Sequence, residues 1–341
     1  MIGIVFLGDR RVELRKFPEP TPGPRDVIIE IKASGMCGTD LHAYRRKFLG
    51  AEHFIAGHEP CGIVVGIGDQ VFEQEAEVGA RVMVHHYDGC GVCRHCKTGW
   101  TQLCDDGPTV FGSGQGHGAH ARYMRVPAHT LVPLPEDLSF VTGAAISCGT
   151  GTAFGALKRL GLEGDENLAI FGQGPVGLSA TQFGAAMGAR VIAIETSPER
   201  RQLALEKGAD VVLDPTENDP VKAIQDLTHG EGAHKVLETA GTQEARTAAV
   251  KGTRVWGAAC FVASGGEFTL NVGPDLTHRQ VTLVGHWTFS KTGQADCARF
   301  VSDREIDVDG LFTHQWTLQQ AEDAYQLLDQ QKTGKGVFLP G

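Results

Sequence analysis

A chain of 341 residues is too long for one ordinary hydrophobic core, so two domains are expected. Its 41% hydrophobic and 21% charged residues describe a soluble globular protein. The net charge of −10, dispersed along the chain, argues against a polyanion such as nucleic acid as a partner. Glycine fills 45 positions, well above the usual ~7%, which implies many tight turns and close backbone approaches.

The opening Met-Ile-Gly-Ile-Val-Phe-Leu-Gly is apolar, short and without a basic start, so it reads as a first strand rather than a secretory leader. Residues 1 to about 148 look β-rich. Val27–Lys32 alternates, Cys61–Val65 and Arg81–Val84 are short β-branched runs, and Gly or Pro separates them. No long helical period stands out there. From Asn167 the pattern changes to alternating strands and helices. Strands are predicted at Leu168–Phe171, Val191–Glu195, Val211–Leu213 and Lys235–Glu238, with helices at Val176–Met187, Pro198–Lys207 and Val221–Leu227 between them. Repeated units of this kind imply a parallel sheet covered by helices on both faces. The pattern fades after Val281–Gly285. A helix at Ala321–Leu328 and a strand at Gly336–Leu339 close the chain. No stretch approaches the ~18 apolar residues of a membrane span.

Nine cysteines, an odd number, fit a reducing cytoplasm better than a disulfide framework. Four of them, Cys90, Cys93, Cys96 and Cys104, lie within fifteen residues. Thiolates so close together can converge tetrahedrally on one Zn²⁺ and leave no open position, which makes a structural site. Disulfides or scattered core cysteines are the competing explanation. Further along, Gly172, Gly174 and Gly177 form a Gly-x-Gly-x-x-Gly turn with Pro175 and Val176 inside it, between a predicted strand and a predicted helix. Glu195 follows at the end of the next strand. Glycines there let backbone approach a pyrophosphate, the helix N-terminus favours its charge, and the carboxylate accepts hydrogen bonds from a ribose diol. That carboxylate would repel a 2′-phosphate, so NAD is expected rather than NADP. Arg200 and Arg201 pull the other way.

Three more metal-ligand candidates stand apart: Cys37, His58 and Cys148. Two thiolates and one imidazole would leave a fourth zinc position for water or substrate. Spacing alone could not assemble them. Cys37-Gly38-Thr39-Asp40-Leu41-His42, Gly57-His58-Glu59, the four-cysteine lobe and the glycine turn, in that order, resemble the zinc-containing medium-chain dehydrogenase/reductase family of alcohol, sorbitol and threonine dehydrogenases. Alcohol dehydrogenase is already the documented case of this Cys₂His ligand set. The resemblance implies an α/β protein. A GroES-like β-rich catalytic domain would span residues 1–149, with its zinc lobe at about 88–106. A Rossmann doubly wound parallel sheet would span 150–287, and 288–341 would return to the catalytic domain. The active site would lie in the cleft between the domains.

Carried over by position, Cys37, His58 and Cys148 resemble catalytic zinc ligands, and Glu59 a zinc-proximal glutamate able to join the metal. Asp40 resembles the carboxylate that orients His58. Thr39 and His42 resemble the hydroxyl and imidazole that carry the substrate proton away. Glu195 and Arg200 match residues around the adenosine ribose. Asp40 could instead cap a helix starting at Leu41, His42 could be a plain loop histidine, and the residues around Cys148 would also suit a helix start. His86, four before the first lobe cysteine, would line the substrate pocket or lie on the surface. The loop Gly112–Gly118 is expected to border the substrate cleft. Cys61, Cys260 and Cys297 have no partners at metal spacing and read as core or surface thiols. Trp287 and Phe289 read as core, as neighbours of the nicotinamide, or as a subunit contact.

Two departures stand out. Much of the sorbitol and threonine branch carries glutamate where this chain has Cys148, and Gly38 replaces a basic residue found in some alcohol dehydrogenases. The resemblance implies reversible, NAD-dependent oxidation of a small secondary or polyhydroxy alcohol, with two Zn²⁺ per subunit. It further implies a cytoplasmic homodimer or homotetramer, built through an edge strand near Val281–Gly285, with no membrane or nucleic-acid partner. The competing functions are a zinc-free quinone or enoyl reductase of the same fold, and a zinc-ribbon binding module.

Overall fold

The computed structural model describes residues 1–47 and 54–341. They form two units, Met1–Gly151 with Phe289–Gly341, and Thr152–Thr288. In the first unit the strand Asp26–Gly35 is the organising element. It pairs antiparallel with Pro60–Ile67 along most of its length, and also with Tyr123–Pro127 and the last strand, Lys335–Phe338. The same seven-stranded sheet includes Arg81–Val84, Leu131–Pro133 and Phe312–Trp316. Val27, Ile29, Ile31, Val64, Val82 and Val84 bury one core. A second core gathers Phe6, Met36, Tyr44, Leu318, Tyr325 and Phe338 beneath the helix Ala321–Asp329. That helix buries Ala321, Ala324, Tyr325 and Leu328, the three-and-four spacing of an amphipathic helix.

The second unit is a six-stranded, all-parallel sheet. In space the strands run Val211–Leu213, Arg190–Ile194, Asn167–Phe171, Ala233–Glu238, Thr253–Phe261, Thr282–Gly285. This is the 3-2-1-4-5-6 order of a doubly wound sheet. Asn167–Phe171 is buried almost throughout, as a central parallel strand must be. The helices Pro175–Ala186, Pro198–Glu206 and Pro220–Leu227 each begin with proline, whose fixed φ suits the first helical position.

Several elements differ from the sequence expectation. Phe140–Ile146 and Gly149–Leu160 are helices. Their glycines and β-branched residues are poor helix formers, and tertiary burial overrides that preference. Lys291–Asp303 is a helix and Thr253–Phe261 a strand, both in stretches where no clear period was visible. Among the described residues no single helix is long and apolar enough to cross a membrane.

The closing strand ties the C-terminal stretch to the strand leading into Cys37. Replacing the fully buried Phe338 by alanine is expected to cost about 3–5 kcal/mol, read as a lower urea midpoint.

Candidate active site

Register brings the candidate ligands together. Ser34 pairs with Pro60 across the central strands. Cys37 lies just beyond the end of one strand and His58 just before the start of the other, so antiparallel pairing makes them neighbours. Cys148 sits between the helices Phe140–Ile146 and Gly149–Leu160. The hydroxyl of Ser147, next to it, donates to the Pro60 carbonyl at 2.9 Å. The donor atoms of Cys37, His58 and Cys148 all lie within 4.8 Å of one another, and all three residues are buried. The two sulfurs are 3.9 Å apart. The Cys148 thiol, with His58 beside it, holds Cys37 well below the ordinary thiol range, which favours the thiolate form a metal takes.

Asp40 is the hub of this group. One carboxylate oxygen meets His58 Nδ1 at 3.0 Å, which leaves Nε2 as the ring nitrogen available to a metal. The other oxygen accepts the backbone N–H of Cys37 at 2.9 Å and the Tyr325 hydroxyl at 3.3 Å. Burial opposes its charge, but His58 outweighs that and holds Asp40 below the usual carboxylate range. The helix Asp40–Arg45 begins at Asp40 itself, and no side chain caps it. Asp40 therefore does not cap a helix from Leu41; its carboxylate is engaged by His58, the Cys37 N–H and Tyr325. Thr39 and His42 are exposed, and the Thr39 hydroxyl lies 3.6 Å from Cys37 Sγ. His42 follows three residues later, which places the two on one helix face.

Glu59 is completely buried. Its carboxylate pairs with Lys335 Nζ at 2.5 Å and accepts the Gly149 N–H at 3.4 Å. Burial pushes its pKa up to about 7 despite the lysine. Lys335 is 1% exposed and also donates to the Met36 carbonyl at 3.2 Å. Sequence reasoning missed this lysine, which lies 276 positions from Glu59 with no local motif around it. His86 is buried, not on the surface. It donates through Nδ1 to the Ser147 carbonyl at 2.9 Å, and its ring lies 5.2 Å from that of His58. Burial, with His58 and His85 nearby, pushes its pKa well below the imidazole norm. The loop near Gly114–Gly116 lines a cavity of about 860 Å³ with Met1, Phe17 and Phe54, and none of the three ligand candidates lines it. Cys61, Cys260 and Cys297 are core thiols. Phe289 is buried as well, whereas Trp287 is about half exposed.

The four clustered cysteines gather their sulfurs within 4.8 Å. Backbone N–H groups of Cys90, Cys93 and Cys96 donate to the sulfurs of Cys104, Cys90 and Cys93 at 3.3, 3.3 and 3.4 Å. Such donation favours thiolates and holds the Cys93 thiol down at about 6. The strand Tyr87–Asp88 pairs with Thr109–Val110 at the base of this lobe.

In the second unit the glycine turn follows the first strand, where the strand order reverses, the usual ligand position of a doubly wound sheet. Gly172 has φ +88, and a Cβ on Gly177 would run into the Gly172 carbonyl. The helix Pro175–Ala186, which includes Val176, starts from Gly174. Glu195 lies against this turn. It accepts the Gln173 N–H at 2.7 Å through one oxygen and those of Thr196 and Ser197 at 2.7 and 3.0 Å through the other. Arg200 lies buried on the following helix, with Glu195 acting on its charge. Arg201 pairs with Asp214 at 2.7 Å and donates to the carbonyls of Glu195 and Thr196.

A family model for alcohol dehydrogenase GroES-like domains matches residues 23–136, and one for zinc-binding dehydrogenases matches 175–303. YphC of Escherichia coli K12, an uncharacterised zinc-type alcohol dehydrogenase-like protein, is 35% identical over 99% of this chain and 98% of its own length. The chain belongs to the zinc-containing medium-chain dehydrogenase family. It is an oxidoreductase of the zinc-type alcohol dehydrogenase class, and its two units carry the family's GroES-like and Rossmann folds. Sorbitol dehydrogenase of Bacillus subtilis 168 is 29% identical over 96% of this chain and 93% of its own. A candidate zinc-binding dehydrogenase of Sinorhizobium meliloti 1021, solved bound to NADP, is 26% identical, with a TM-score of 0.89 over 99% of both chains.

The Glu59–Lys335 pair yields a stability prediction. Lys335→Met strands a buried carboxylate and is expected to cost about 3–5 kcal/mol. The double variant with Glu59→Gln should recover much of that loss in urea unfolding.

Proposed function

We propose that the protein catalyses reversible, NAD-dependent oxidation of a small secondary or polyhydroxy alcohol, with Zn²⁺ held by Cys37, His58 and Cys148. The observation that carries this reading is the convergence of two sulfurs and one imidazole, the ring's Nδ1 engaged by Asp40. The donor set suits zinc and leaves a coordination position for substrate. A second Zn²⁺ would occupy the Cys90, Cys93, Cys96 and Cys104 lobe, where four thiolates fill the coordination shell. When bound, zinc supplies Lewis acidity toward a hydroxyl oxygen and NAD supplies the hydride acceptor.

The chain's own residues do the rest. Asp40 fixes the orientation of His58. Thr39, beside Cys37, takes the hydroxyl proton, and His42, on the same exposed helix face, passes it to solvent. Gly172, Gly174 and Gly177 give the pyrophosphate backbone access, and the helix beginning at Pro175 presents free N–H groups to it. Glu195 accepts hydrogen bonds from the ribose diol. Its charge faces the place a 2′-phosphate would take, and Arg201 is already neutralised by Asp214. Glu195 and the Arg201–Asp214 pair support NAD over NADP as the cofactor. An odd number of cysteines, most of them placed as metal ligands, suits a reducing cytoplasm, and the family resemblance suits a homodimer or homotetramer.

NADH formation should be measured against secondary alcohols, sugar alcohols and hydroxy-amino acids, with and without a chelator. Turnover should vanish with zinc removal, and Cys37→Ala should abolish it while NAD still binds. Full activity in protein holding one zinc per chain, in the cysteine lobe, would overturn the reading and favour a zinc-free reductase. The ratio of kcat/KM for NAD over NADP should exceed about tenfold, since a like-charge contact costs several kcal/mol. Asp214→Asn, by releasing Arg201, should narrow it.

A further inference from the structure

A chain of buried hydrogen bonds continues outward from Asp40. The Tyr325 hydroxyl reaches Asp40 at 3.3 Å and His120 Nε2 at 2.6 Å. His120 Nδ1 meets the Ser34 hydroxyl at 2.7 Å. Ser34, Asp40, His120 and Tyr325 are all at most 3% exposed. Chemistry sets the direction of the chain. An ionised carboxylate only accepts, so Tyr325 donates to Asp40. The hydroxyl's single proton is then used, so His120 Nε2–H donates to the Tyr325 oxygen. His120 Nδ1 is left as an acceptor and takes the Ser34 proton. At the other end, His58 Nδ1–H donates to Asp40, and Nε2 stays free for a metal.

The fold makes room for this arrangement. Gly57, the residue before His58, has φ +94, and a Cβ there would run into the His120 ring. The backbone N–H of His120 donates to the Ala56 carbonyl at 2.9 Å. Tyr325 arrives from the C-terminal helix, 285 positions after Asp40. Its ring packs edge-on against Phe6, with centroids 4.8 Å apart, and that contact would survive loss of the hydroxyl.

We infer that Tyr325 and His120 are positioning residues for the Cys37–His58–Cys148 metal site, acting through the Ser34–His120–Tyr325–Asp40 relay to hold His58 with Nε2 presented to the metal. This rests on the reading of those three residues as zinc ligands. Outer partners of metal ligands commonly affect metal affinity by 10–100-fold. Tyr325 is one step further out, so the lower end is expected.

The test is a zinc competition titration of the intact protein with a chromophoric chelator. The cysteine lobe serves as an internal control. Tyr325→Phe keeps the ring and its packing. It should weaken one of the two zincs about tenfold and leave the other unchanged. His120→Phe should do the same, and the double variant should be no worse than either single change, since all break one relay. Equal affinity in Tyr325→Phe and the parent would overturn the inference, and so would equal weakening of both zincs. Additive losses in the double variant would also overturn it, because they mark two separate packing defects. If the parent itself binds only the lobe zinc, the metal-site reading fails first and the relay falls with it.

Discussion

The antiparallel register between Asp26–Gly35 and Pro60–Ile67 is the constraint on which the candidate site depends. With Ser34 opposite Pro60, Cys37 and His58 leave and join the sheet at the same end. A one-residue slip would turn every side chain of the strand to the opposite face. It would bury Glu30 and Lys32, now partly exposed, in place of Ile29 and Ile31. The apolar pattern that fills the core therefore also fixes the spacing of the ligands. The same strand end holds Lys335–Phe338 on its other side, through Ser34 and Gly35. In this way the end of the chain supplies the counter-ion for Glu59.

That counter-ion matters because the pocket concentrates ionisable groups away from water. Cys37, Asp40, His58, Glu59, Cys148 and Lys335 are all buried. An unpaired charge there would cost several kcal/mol. Each group has a partner instead: Asp40 has His58, Glu59 has Lys335, and Cys37 has Cys148. Lys335 pairs with Glu59, the carboxylate nearest in sequence to His58. Asp40, further away in sequence, is the carboxylate that contacts the imidazole.

What was legible in the sequence was what its chemistry writes locally. The four lobe cysteines fall within fifteen residues, and the glycine turn lies directly between a strand and a helix. Arg81–Val84 and Val211–Leu213 match their predicted bounds, because flanking turn residues delimit them. The grouping of Cys37, His58 and Cys148 came from family resemblance rather than spacing. Lys335, Tyr325 and His120 were not legible at all. A buried lysine at a strand start and a tyrosine on an amphipathic helix look like ordinary surface and core residues until the sheet is closed. The helices on either side of Cys148 were obscured by Gly143, Gly149, Gly151 and Gly155. In Gly151 and Gly155 those glycines make room for Phe289 and His286, a packing demand that a propensity scale does not record.

The two cysteine-bearing sites also differ in how they depend on the fold. In the lobe, adjacent backbone N–H groups already point at the sulfurs, and all four donors come from one short loop. The other set draws on residues 111 positions apart and is completed by the Ser147 bond to Pro60, the Asp40 bond to His58 and the burial supplied by the C-terminal helix and strand. Metal affinity that depends on such an assembly is coupled to folding. The Cys37, His58 and Cys148 set therefore depends on the chain being closed through its last strand, whereas the lobe draws its four sulfurs from one stretch of sequence.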